Sequence, residues 1–205
     1  MQVLTYEEYK QKRCFSNFGM LLLMPVVIDF LSVIIRQSGR SSSSMVTLLV
    51  YGIVLAVVFI RTLRITSFNE VVKDLLLCGI MLVPFLVNFL LFEETRGYMV
   101  SREMLLVYFF YIPIAVCSLR KITKWNEFFD ALLKPGVMAI GLGILILLCM
   151  DYQKYLVYMG FSYALLPFIC VFYRAARLKN NIVYYGFFFA GMVSILIFGS
   201  RAAIG

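Results

Sequence analysis

Asp29 is the one acidic residue set well inside an apolar run, here Phe15 to Ile35. A lone carboxylate is costly near the centre of a bilayer, so it faces protein or a water-filled cavity. Two readings follow: the polar wall of a cavity, or a residue near the membrane surface paired with Arg36 or Arg40. Pro25, four residues earlier, can bend the helix and open room beside Asp29. Arginine offers the second chemistry. Arg36, Arg40, Arg96, Arg102 and Arg201 fall beside or between apolar runs on one side of the chain's alternation, with Lys154 the lysine among them. A planar guanidinium fork binds phosphate oxygens in pairs, as an ammonium does not. Arg201, preceded by Ser200 and an apolar run, is the sharpest of these; the plain alternative is an interfacial arginine. Asn88, behind Pro84, can hydrogen-bond a neighbouring helix. The chain has no histidine, which removes the commonest general base and the commonest transition-metal ligand. With no Cys/His or clustered-carboxylate pattern either, neither a metal site nor a cofactor is expected.

The elements that must position these residues follow from composition. Of 205 residues 62% are apolar and 15% charged, against roughly 45–50% and 25% in a soluble domain. A soluble chain of this size has too little interior for that apolar surface, so much of it must face lipid. A bilayer core of about 30 Å takes about 20 apolar residues per helix. Seven segments approach that length: 15–35, 45–60, 75–92, 104–119, 136–150, 155–173 and 182–199. The second, fourth and fifth are short, which leaves room for six or eight. The fold class is therefore all-α, a polytopic transmembrane helical bundle of about seven spans. A segment 1–14 precedes the membrane region 15–199, and 200–205 follow it. The first run is too long for a signal-peptide core and lacks a small-x-small cleavage site, so it stays in the protein.

Orientation follows from the basic residues. Lys10, Lys12, Arg13, Arg61, Arg64, Lys73, Arg120, Lys121, Lys124, Lys134, Arg174, Arg177 and Lys179 stand on one side, and the six named with Arg36 on the other. This puts the N-terminus in the cytoplasm and Arg201 outside. The net charge of +8 is scattered between apolar runs, which fits anionic lipids and no nucleic acid. The five cysteines lack Cys-x-x-Cys spacing and read as small apolar residues. Ser67 to Glu70 has capping-box spacing and opens the third span. Ile122, Trp125, Phe128, Phe129, Leu132 and Leu133 share one helical face, which reads as an interfacial helix on the inner leaflet anchored by Trp125; the alternative is an ordinary helical extension of a span. Gly52-x-x-x-Ala56 and Ala139-x-x-x-Gly143 are small-x-x-x-small packing patterns.

Gly199-Ser200-Arg201, followed by small and apolar residues, resembles the Gly-Ser-Arg-Gly-Ala-type signature of the O-antigen ligase and polymerase family. Tyr158 to Tyr163 and the basic turn before the last span share the family's general look; Ala202 replaces its common glycine. The resemblance implies a multi-pass protein of the bacterial cytoplasmic membrane that transfers glycan from a polyprenyl diphosphate carrier during capsule or exopolysaccharide assembly. Its partners would be the polyprenyl diphosphate-linked glycan, anionic lipids and other polysaccharide-assembly membrane proteins. By matching position, Arg201 with Ser200 would contact the diphosphate. No motif carries a role to Arg36, Arg40, Arg96 or Arg102, or to Asp29; these stand on charge and placement alone. Family members continue into further spans, a large outer loop and, in ligases, a functional histidine, so the chain is expected to be the N-terminal half of such a glycosyltransferase, inactive alone. Two other classes stay open. One is a small solute-binding membrane subunit of a transporter, with Asp29, Asn88 and tyrosines in its pocket. The other is a membrane scaffold.

Overall fold

The computed structural model describes residues 5–38, 43–100, 105, 107–149 and 158–200. Among them the chain is helical, with no strand. The helices are α1 (Tyr6–Gln37), α2 (Ser43–Leu63), α3 (Phe68–Leu91), α4 (Ile112–Arg120), α5 (Trp125–Ala131), α6 (Leu133–Cys149), α7 (Tyr158–Lys179) and α8 (Ile182–Ser200). Single turns at Glu93–Thr95 and Arg96–Met99 follow α3. A π-helical stretch, Val107–Tyr111, leads into α4. Pro113 has no amide hydrogen to continue a helical ladder and crowds the carbonyl four residues back, and the widened turn before it makes room.

Among the described residues, four stretches are long and apolar enough to cross a membrane: Tyr6–Gln37, Phe68–Leu91, Trp125–Leu148 and Gly160–Lys179. Leu48–Leu63, Tyr108–Arg120 and Ile182–Phe198 are shorter apolar helices. The side chains of α3 show why lipid is the solvent. Its buried residues are Asp74 and Phe85, while Leu75, Leu76, Ile80, Leu90 and Leu91 are each about two-thirds exposed. Water would reverse that arrangement; hydrocarbon permits it.

The helices exceed the apolar runs where caps extend them. α1 begins at Tyr6 rather than near Phe15, so most of segment 1–14 is already helix. Its start carries a reciprocal cap that apolarity does not mark: Thr5 N–H donates to Glu8 Oε2 at 3.1 Å and Glu8 N–H to Thr5 Oγ1 at 3.4 Å. α3 starts at Phe68, with Ser67 N–H donating to Glu70 Oε2 at 3.1 Å. α5 continues through Leu132 into α6, bridged by Leu132 N–H to Phe128 O and Gly136 N–H to Leu132 O at 3.1 and 2.9 Å. This is the geometry of a helical extension, with Phe128 and Leu132 buried and Trp125 half exposed.

The chain divides into two compact units: 1–18 with 55–123, and 19–54 with 124–205. The second has a close-packed core of Val26, Val33, Ala139, Ile146, Phe161, Leu165, Phe168, Ile169 and Phe198. Small residues bring α6, α7 and α8 together there. A Cβ on Gly191 would lie 2.6 Å from Ile169 Cγ1, and one on Gly136 2.9 Å from the Phe172 ring. Of the two small-x-x-x-small patterns, Ala139 is fully buried and Gly143 faces Leu165, whereas Gly52 faces open space. α7 and α8 form a hairpin through Asn180 and Asn181. Asn180 takes a left-handed conformation, φ 44°, which asparagine tolerates at a helix end; Asn181 Oδ1 accepts from Val183 N–H at 2.9 Å.

Candidate functional site

The residues singled out from the sequence fare differently. Asp29 lies half-buried on α1 in the second unit, and Arg36 is exposed in the last turn of the same helix, where a cation suits the dipole. Helix α1 runs through Pro25 without a break. Arg96 belongs to the first unit and caps α3: its Nε donates to Phe89 O at 2.9 Å and Nη2 to Leu90 O at 3.2 Å. Its charge also pairs with Glu93 at 3.6 Å. Asn88 is exposed and accepts a hydrogen bond from Thr95 Oγ1 at 2.8 Å, a local cap rather than a bond across a span. Arg40, Arg102 and Arg201 lie outside the described residues, and Ser200 is described only as the end of α8.

A different cluster is assembled in the first unit. Asp74, on α3, meets two cations from the end of α4 and the turn after it. Lys121 Nζ donates to Oδ2 at 2.6 Å, and Arg120 Nη2 lies 2.5 Å from Oδ1. The arginine contact is an ion pair without the alignment of a hydrogen bond. The Asp74 and Lys121 side chains are 9% and 3% exposed, so the pair is shielded and its electrostatics are strong. One turn earlier on α3, Glu70 accepts from Lys10 Nζ of α1 at 2.7 Å. Lys10 precedes the apolar run of α1, and its hydrogen bond to Glu70 holds its pKa above the ordinary lysine value, against a smaller opposing effect of burial. Gln11 clamps the turn after α4 from both sides, donating from Nε2 to Lys121 O at 2.7 Å and accepting at Oε1 from Thr123 N–H at 3.1 Å. Asn17 Nδ2 donates to Thr62 Oγ1 at 3.1 Å within the same buried layer.

Asp74 also lines a cavity of about 390 Å³ walled by α2, α3, the π-helical stretch and α4. The walls are mostly apolar, with Phe59, Phe109 and Phe110 around them and Thr62, Thr66, Cys78 and Cys117 as polar points. Cys78 and Cys117 Sγ stand 4.0 Å apart across it. A few polar groups in an apolar cavity of this size are what a small-molecule site requires. Asp74 stands one residue ahead of the apolar run beginning at Leu75 and so lies outside the pattern of a carboxylate within such a run. The signal was helical register: Glu70, Asp74 and Cys78 recur every four residues, as do Cys117 and Lys121.

Comparison with known proteins finds no matching family model, no matching curated protein and no matching solved structure.

Proposed function

We propose that the chain is the membrane portion of an O-antigen polymerase- or ligase-like protein of the bacterial cytoplasmic membrane, with about seven spans (six to eight) and a cytoplasmic N-terminus. It takes part in transferring glycan from a polyprenyl diphosphate carrier. The observation that supports this reading is the sequence Gly199-Ser200-Arg201, whose first two residues end the apolar helix α8, on the side that the basic residues assign to the outside. In such a transfer an acceptor hydroxyl attacks the anomeric carbon and loses its proton to water, the carbon–oxygen bond to the carrier breaks, and the diphosphate leaves with the bonding pair. Arg201 and Ser200 would donate to that leaving group, where charge develops.

The test is Arg201→Ala and Arg201→Lys in the cell that makes the protein, with surface polysaccharide resolved by length. Loss of polymer in the alanine variant and partial return with lysine is expected. Unchanged polymer at equal protein abundance overturns the reading.

A second reading, solute binding, is favoured by one observation, the apolar cavity with Asp74 in its wall. Saturable uptake of a small solute that Asp74→Asn reduces, with polymer unaffected, would select it.

A further inference from the structure

In the second unit, α5 and the end of α7 enclose an open cleft of about 740 Å³. Its polar lining is Asn126 and Asp130 from α5 with Tyr173, Arg174, Arg177 and Lys179 from α7. Arg174 is fixed from two directions. Nη2 donates to Asn126 Oδ1 at 2.6 Å, and the guanidinium lies over the Phe129 ring, 4.7 Å from its centroid. Arg177, three residues on and thus on the same face, is exposed. Lys179 is drawn to Asp130 at 2.9 Å. Three cations and one carboxylate leave two positive charges in one concavity.

An arginine already held in place loses little freedom when it binds, and only one of its five N–H donors goes to Asn126. A neutral ligand would leave both charges uncompensated and a carboxylate would match one. A phosphate monoester carries about −1.5 to −2 near neutral pH and accepts through three oxygens, which matches the surplus and the fork. The cleft is larger than a phosphate alone, leaving space for the esterified group. We propose that this cleft binds a phosphate monoester, through Arg174 and Arg177, on the face that the basic residues assign to the cytoplasm. The proposal is independent of the polysaccharide reading, since no residue of the cleft lies in the Gly-Ser-Arg motif.

The phosphate can belong to a lipid or to a soluble metabolite, and glycerol 3-phosphate and phosphatidic acid present the same headgroup in the two forms. Trp125, the only tryptophan and half exposed beside Asn126, is a built-in reporter. The full chain in phosphatidylcholine nanodiscs is titrated with glycerol 3-phosphate, and in parallel with short-chain phosphatidic acid, following Trp125 fluorescence. A saturable change is expected in at least one arm. Arg174→Gln and Arg177→Gln should each weaken it about tenfold or more, as loss of a charge-assisted hydrogen bond does. Arg64→Gln, an exposed arginine of the first unit, should leave it unchanged. A response in the lipid arm alone assigns a membrane source; a response to glycerol 3-phosphate assigns a soluble one. Arg177 is exposed, so its variant keeps the fold and serves if Arg174→Gln disturbs packing on Phe129. Absence of a saturable change in both arms, or a change that Arg64→Gln weakens as much as Arg177→Gln does, overturns the proposal.

Discussion

Removing the carboxylate at residue 74 should damage the first unit more than removing its buried cation. In Asp74→Asn the Lys121 ammonium, 3% exposed, keeps its burial and loses its counter-charge. Breaking a buried ion pair from one side costs about 3–5 kcal/mol. Arg120 adds little to that sum, because its side chain is one-third exposed and water can replace the lost partner. For a chain of this length about 2–4 °C of melting temperature goes with each kcal/mol, so the expected drop is about 6–20 °C. Lys121→Met is milder, since Asp74 retains Arg120. The double variant Asp74→Leu with Lys121→Met removes both buried charges and should return to within about 1 kcal/mol of the parent, because an apolar replacement of a buried pair is often neutral.

Thiol exposure on heating provides the assay, using a maleimide dye that fluoresces on reaction. With Cys149 and Cys170 changed to Ser, the remaining cysteines are Cys14, Cys78 and Cys117, all in the first unit and buried or half-buried. Dye uptake then follows that unit's unfolding. A melting temperature unchanged by Asp74→Asn, or a double variant as unstable as the single one, would refute the assignment of the pair as the unit's buried anchor.

Two further outcomes test the packing. Gly191→Ala should cost about 1–3 kcal/mol, the usual penalty for overfilling a packed core, because its Cβ would meet Ile169 at 2.6 Å; Gly52→Ala, facing open space, should cost nothing, and equal melting temperatures for the two would contradict the packing. With Cys14, Cys149 and Cys170 changed to Ser, a membrane-permeant diazene oxidant should join Cys78 to Cys117, which start 4.0 Å apart. The oxidant takes up the two thiol hydrogens, and maleimide-polymer labelling of both sites should disappear. Labelling that persists would mean that α3 and α4 do not face each other at this level.

The apolar runs were legible because a bilayer-spanning length is a coarse quantity that composition alone determines. Their polar extensions were not, as with α1, where Thr5 and Glu8 begin the helix about two turns before hydrophobicity does. The contacts between helices were harder still. Lipid tails are as apolar as leucine, so a lipid-facing side chain and a helix-facing one look alike in sequence. Gly52-x-x-x-Ala56 and Ala139-x-x-x-Gly143 read the same way, yet only the second is packed against a neighbour.

What does distinguish faces in such a chain is any residue that lipid will not accept. The two units use different kinds. In the first, Gln11, Asn17, Asp74 and Lys121 are buried polar pins, and each finds a partner on another segment. In the second, glycines set the closest approaches of α6, α7 and α8, and aromatic rings fill around them, as where Phe161 meets Phe198 edge-on at 5.0 Å. Polar pins are specific because a mispaired charge is costly to bury, so their register on α3 and α4 carries the information that leucines cannot. Asp74 illustrates the consequence for function. The carboxylate that fixes helix register through Lys121 also lines the cavity, so a group bound there would meet Asp74 itself.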